Sequence, residues 1–115
     1  MADECVFCRI AGGQIPAEVV VDRPGVLVFR DIRPATPVHC LAIPKKHIAT
    51  LNDMSAEDGP LLGELMAAVA EAARKLGVAE RGYRVVANVN REAGQEVFHV
   101  HFHLLAGRQF GWPPG

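Results

Sequence analysis

Histidines at positions 99, 101 and 103 alternate with apolar residues in the run Val97-Phe98-His99-Val100-His101-Phe102-His103-Leu104-Leu105. A period of two is the period of a β-strand, with three imidazoles on one face and Val100, Phe102 and Leu104 on the other. Such a strand needs a core against its apolar face and a pocket over its imidazole face. Successive histidines would lie roughly 7 Å apart along it. Imidazole serves as nucleophile, acid, base or metal ligand near neutral pH, so the chemistry is expected here.

The remaining elements can be placed around that strand. Residues 5–11 read as a short helix stopped by Gly12-Gly13. Residues 19–21 and 26–29 read as strands joined by the turn Asp22-Arg23-Pro24-Gly25. A third strand is expected over 39–43, after the loop Arg33-Pro34-Ala35-Thr36-Pro37 and closed by Pro44. Ser55 and Asp58 form a capping pattern ahead of a helix with Pro60 in its first turn. Its apolar face runs through Leu61, Leu62, Leu65, Met66, Val69, Ala72, Ala73 and Leu76 and ends at Gly77. Strands four and five are expected over 83–89 and 96–105, followed by a tail from about 106 to 115 that ends Trp112-Pro113-Pro114-Gly115. The order predicts an α+β fold: a five-stranded antiparallel sheet, one main helix and a short N-terminal helix.

A chain of 115 residues is expected to be one domain, 1–115, with a core that needs no disulfides. A net charge of −1 gives no general drive toward nucleic acid or anionic membrane. No apolar run reaches membrane-spanning length, and the opening Met-Ala-Asp-Glu-Cys lacks a signal-peptide pattern. With three cysteines, an odd count, a cytoplasmic location is expected.

Cys5-Val6-Phe7-Cys8 is half of a zinc site, a redox pair, or two small hydrophobic residues on a short helix. Tetrahedral zinc needs two further ligands, and His47 and His99 are the leading candidates. Cys40 lies mid-strand and reads as core. Asp31, just past a strand end, is either a turn carboxylate or an acceptor for two hydroxyls. The Gly94 turn entering the histidine strand could aim backbone N–H groups at an anion. Trp112, beside two prolines, needs something to pack on.

At these residues the chain resembles the histidine-triad (HIT) family, whose mark is His-φ-His-φ-His-φ-φ with φ apolar. His99-Val100-His101-Phe102-His103-Leu104-Leu105 matches it completely. Phe29-x-Asp31-Ile32-x-Pro34, His39 before an apolar strand, Ile43-Pro44-Lys45-Lys46-His47-Ile48, Gly94-Gln95-x-Val97 and the Trp-Pro-Pro-Gly end resemble its nucleotide-binding (Hint) branch. The resemblance runs from about Cys5 to the C-terminus. It implies a homodimeric purine nucleoside phosphoramidase, cleaving the P–N bond of adenosine or guanosine 5′-phosphoramidates. By the family pattern His101 attacks phosphorus and forms a nucleotidyl-imidazole intermediate, while His103 and His39 contact phosphate or support the nucleophile. Asp31 matches the ribose-binding carboxylate, with Phe29 and Ile32 beside the base. Asn88, Gly94, Gln95, Val97 and His103 match the phosphate and ribose end. Trp112 matches a tail that reaches the partner subunit's pocket and shapes leaving-group selectivity. Relatives with Cys5, Cys8, His47 and His99 bind structural zinc through those positions, so the resemblance admits zinc without requiring a metal for catalysis.

Glu96 stands where some relatives carry a serine reaching the phosphate, and an ionised carboxylate cannot donate that hydrogen bond. Rival expectations are a dinucleoside polyphosphate hydrolase and a non-catalytic nucleotide-binding regulatory protein.

Overall fold

The protein is described by a computed structural model covering residues 4–115. Helix α1 (Val6–Ala11) begins at Cys5, whose sulfur accepts from the Cys8 N–H and so caps the first turn. Strands β1 (Val19–Asp22), β2 (Val26–Arg30) and β3 (Val38–Pro44) follow as antiparallel neighbours. Helix α2 (Gly59–Lys75), β4 (Arg84–Val86), a one-turn helix α3 (Asn90–Ala93) and β5 (Phe102–Ala106) complete the order. The sheet runs β1-β2-β3-β5-β4, every pair antiparallel, as the α+β reading expected.

The sheet is buried on both faces across its centre. Val26, Val28, Cys40, Ala42, Phe102 and Leu104 meet Leu65, Ala68, Val69, Ala72 and Ala73 of α2 on one side. Leu27, Phe29, Leu41 and Ile43 meet Phe7 of α1 on the other. This explains why β2 and β3 read as continuous apolar runs rather than alternating ones. Cys40 is core, as its mid-strand position suggested.

Three segments differ from the sequence-based expectation. The last strand does not span 96–105: its ladder begins at Phe102. Residues 99–101 still alternate, Val100 packing in the α2 core, but the stretch runs against the loop after β3, where the Val100 N–H donates to Ile48 O. The fourth strand shrinks from 83–89 to Arg84–Val86, because the chain leaves the sheet to form α3. The Ser55–Asp58 box caps a separate 3₁₀ turn, Ala56–Asp58, directly before α2; a second box, Thr50–Asp53, shapes the turn upstream. Among the described residues no helix is long and apolar enough to cross a membrane.

Candidate functional site

The three triad histidines do three different things. His99 is fully buried, and its Nε2–H donates to the carbonyl of Pro44 at 2.7 Å. The bare Nδ1 therefore faces the other way, toward Cys5 Sγ at 3.3 Å, Cys8 Sγ at 3.5 Å and His47 Nδ1 at 3.2 Å. Cys8 Sγ lies 3.3 Å from His47 Nδ1, so the four donor atoms form one cluster that could hold a metal ion. Zinc bonds of 2.0–2.1 Å to nitrogen and about 2.3 Å to sulfur set tetrahedral edges of about 3.3 Å (N to N) and about 3.6 Å (N to S). The observed separations fit that size. Without a cation the Cys8 thiol keeps its proton: burial, then Cys5's hydrogen bond and charge, pushes it up to about 11.

His101 is buried and turned the opposite way. Its Nδ1 lies 2.8 Å from the carbonyl of His99 and must donate to it, leaving Nε2 bare in the neutral ring. Phe7, between the two cysteines, packs edge-on against His101 at 5.1 Å and against His99 at 5.9 Å. His101 is thus oriented by a backbone carbonyl and walled by an aromatic ring. The ring centroids of His101 and His103 are 5.1 Å apart, closer than the roughly 7 Å strand repeat, because the backbone at His101 has left the ladder.

His103 faces Leu41 across the β3–β5 ladder, and His39 faces Leu105, so the two histidines are diagonal neighbours on one sheet face. His39 Nε2 lies 2.8 Å from His103 Nδ1 and 3.5 Å from Asp31 Oδ2. Burial, then the neighbouring His101 and His39, pushes the His103 pKa down to about 4; burial also lowers that of His39.

These groups open onto a cavity of about 690 Å³. His101, His103, Asn88, Gly94 and Val97 line one part of it, and Phe29, Asp31 and Ile32 another. Eight residues assigned to the site from the sequence therefore share one cavity, which has the volume of a small-ligand site. Gln95 and His39 line no part of it; His39 instead borders a smaller neighbouring pocket of about 200 Å³ with Asp31 and Ile32. The Gln95 side chain accepts from the Asn90 N–H and donates to Ala49 O and Val97 O, so it braces the loop that carries Gly94 and Val97. Trp112 is 83% exposed and lines no part of this cavity.

Sequence reasoning did not single out Val6, Phe7 and Ile10 of α1, or Ile15, Pro16, Ala17 and Leu41, which give the cavity its apolar wall. The spacing of Phe7 and Ile10, one helical turn apart, was the available signal. Glu96 also borders the cavity and is exposed, beside the backbone that carries Val97.

Comparison with known proteins agrees with this geometry. The HIT domain model matches residues 12–110. The chain is 46% identical over 111 residues to a purine nucleoside phosphoramidase of Escherichia coli (strain K12), covering 96% of this chain and 93% of that protein. The crystal structure of a HIT family hydrolase from Legionella pneumophila Philadelphia 1 superposes with a TM-score of 0.94 at 54% identity, covering 97% of this chain and all of that one. A histidine triad protein from Clostridium difficile superposes at 0.90 with 36% identity, covering 94% of each. On the match over 12–110 and the identity to these relatives, the chain belongs to the HIT-domain family.

Proposed function

We propose that this chain hydrolyses the P–N bond of purine nucleoside 5′-phosphoramidates. The observation that carries the reading is His101, its Nδ1–H held by the His99 carbonyl and its ring facing the cavity. Its bare Nε2 forms a bond to phosphorus as the P–N bond to the amine breaks, and the amine leaves with a proton from solvent. Water then attacks phosphorus, the P–Nε2 bond breaks, and the nucleoside monophosphate is released. The Phe29, Ile32 and α1 wall takes the base, Asp31 the ribose, and Asn88, Gly94, Val97 and His103 the phosphate. The activity named for the Escherichia coli relative supports this substrate class.

Cys5, Cys8, His47 and His99 hold a structural zinc in this reading; the metal ties α1 to the triad segment and takes no part in bond breaking. The chain works as one domain, in the cytoplasm, as a homodimer. The open outer edge of β4, with Val85 half-exposed, and the uncovered Trp112 support association, with Trp112 reaching the partner subunit's cavity.

Adenosine 5′-phosphoramidate tests the reading. The intact protein releases AMP, and folded His101→Ala loses at least about a hundredfold of that rate. Turnover of diadenosine polyphosphate alone would favour the polyphosphate-hydrolase reading, and tight nucleotide binding without any turnover the regulatory one.

A further inference from the structure

Where the protons sit on His39 and His103 is fixed by one backbone amide. The Ala35 N–H lies 2.9 Å from His39 Nδ1. A backbone N–H only donates, so Nδ1 is bare and neutral His39 carries its proton on Nε2. That proton points at His103 Nδ1, 2.8 Å away, which is therefore bare in turn. Neutral His103 then keeps its proton on Nε2, the one ring nitrogen left for the cavity it lines. Burial keeps both rings neutral at pH 7.

We infer that His39 is a positioning residue: a fixed hydrogen-bond donor that locks His103 with its Nε2–H toward the phosphate, not a link in a proton relay. To pass a proton on, His39 would give up its Nε2 proton and regain one at Nδ1. Nδ1 already faces the Ala35 N–H, so two protons would meet. The same contact speaks against a cation shared by Asp31, His39 and His103, whose donor atoms are close enough to invite one. Binding it would need a bare Nε2 on His39 and hence a proton at Nδ1. Asp31 does not compete for the donor: its Oδ2 is 3.5 Å from His39 Nε2, and its Oδ1 accepts from the Arg33 N–H at 2.8 Å.

The loop that aims the amide is itself braced. Thr36 is buried and its hydroxyl donates to Val38 O at 2.6 Å, while the Asp31 N–H donates to His39 O at 3.0 Å. Pro37 packs on Gly107 so closely that a Cβ there would come within 2.7 Å of the proline, at a φ of +101°. Resting on the proposed phosphoramidase reading, the locked His103 Nε2–H donates to a phosphoryl oxygen whose charge grows as His101 attacks. A donor fixed beforehand stabilises that charge without reorganising.

Ring-¹⁵N NMR of the wild-type protein near pH 7 tests the lock without any substrate. Bare and proton-bearing ring nitrogens have well separated shifts. The expected pattern is bare Nδ1 and proton-bearing Nε2 on both His39 and His103; a proton on Nδ1 of either ring overturns the inference, whatever the substrate proves to be. Kinetics supply the second arm, since a glutamine amide can donate near the position of His Nε2 but cannot relay. His39→Gln keeps phosphoramidase kcat within about tenfold and preserves the His103 tautomer, whereas His39→Ala mixes that tautomer and loses about a hundredfold. A folded His39→Gln as inactive as His39→Ala, with the His103 tautomer intact, overturns the donor role in favour of proton transfer.

Discussion

At His103, burial, His101 and His39 all act against a positive charge, and only Asp31 favours one. The folded-state pKa of about 4 lies below the value of about 6.5 expected in the unfolded chain. Above pH 6.5 neither state binds the proton, so stability does not depend on it. Between about 6.5 and about 4 the unfolded chain takes up a proton the folded protein refuses, and stability falls with pH. Urea midpoints should therefore decline across that window, with a shallower slope in His103→Gln; parallel profiles for the two proteins would refute the shift. That histidines line a site was legible in their alternation; the depressed pKa of His103 was not. The Ala35 amide was not, because every residue but proline carries one and only the fold decides where it points. Gln95 shows the opposite limit. Its position in the motif is plain from the sequence, yet its amide is committed to Ala49, Asn90 and Val97, three partners whose proximity no local pattern encodes.

Among the elements, the histidine segment departs most from its periodicity. A period of two correctly sorted its side chains to opposite faces, and Val100, Phe102 and Leu104 do share the α2 core. Periodicity cannot say whether a neighbouring strand supplies a ladder, and before Phe102 none does. There His99 is held by Pro44 O and by the cluster at α1, and Val100 by the loop after β3. The short helix α3 escaped notice because its four residues lack an apolar period; its signal is Gly94, left-handed at φ +80°, ending it. Helix α1 is also short, and its six residues are marginal as an isolated helix. Zinc would supply what its length does not. Purified protein should carry about one zinc ion per chain, and Cys5→Ala/Cys8→Ala should lose it and melt roughly 10 °C lower, from about 2–3 kcal/mol of lost binding linkage. Equal zinc content and melting temperature in the double variant would contradict the assignment. Because the metal takes no part in bond breaking in this reading, zinc-depleted protein that stays folded should retain turnover.

For the molecule as a whole, a five-stranded antiparallel sheet with one main helix was legible from the element order and short turns, whereas the strand order β1-β2-β3-β5-β4 came only with the structure. The cavity was not legible, since its walls come from α1, β2, β3, the loop after α3 and β5, with Val6 and His103 lying 97 positions apart in the chain. The tail belongs to this scale too. Phe110 lies beneath the Arg84 and Arg108 guanidiniums, at 4.9 and 4.5 Å from its ring centre, and Arg84 donates to Gly111 O. The tail is thereby pinned beside the open β4 edge, with Trp112 exposed. Removing residues 112–115 should leave dimer mass unchanged in light scattering but shift relative kcat/KM across bulky and small amine leaving groups by about tenfold. Unchanged ratios would remove the tail from selectivity.

The central claim is that His101 bonds to phosphorus, and rapid-quench mass spectrometry of the protein mixed with a tryptophan-sized adenosine 5′-phosphoramidate tests it most directly. We predict a transient gain equal to AMP minus water, mapped to the peptide containing His101 and absent in His101→Ala. Full-rate AMP release with no adduct at any quench time, or an adduct on another residue, would contradict it.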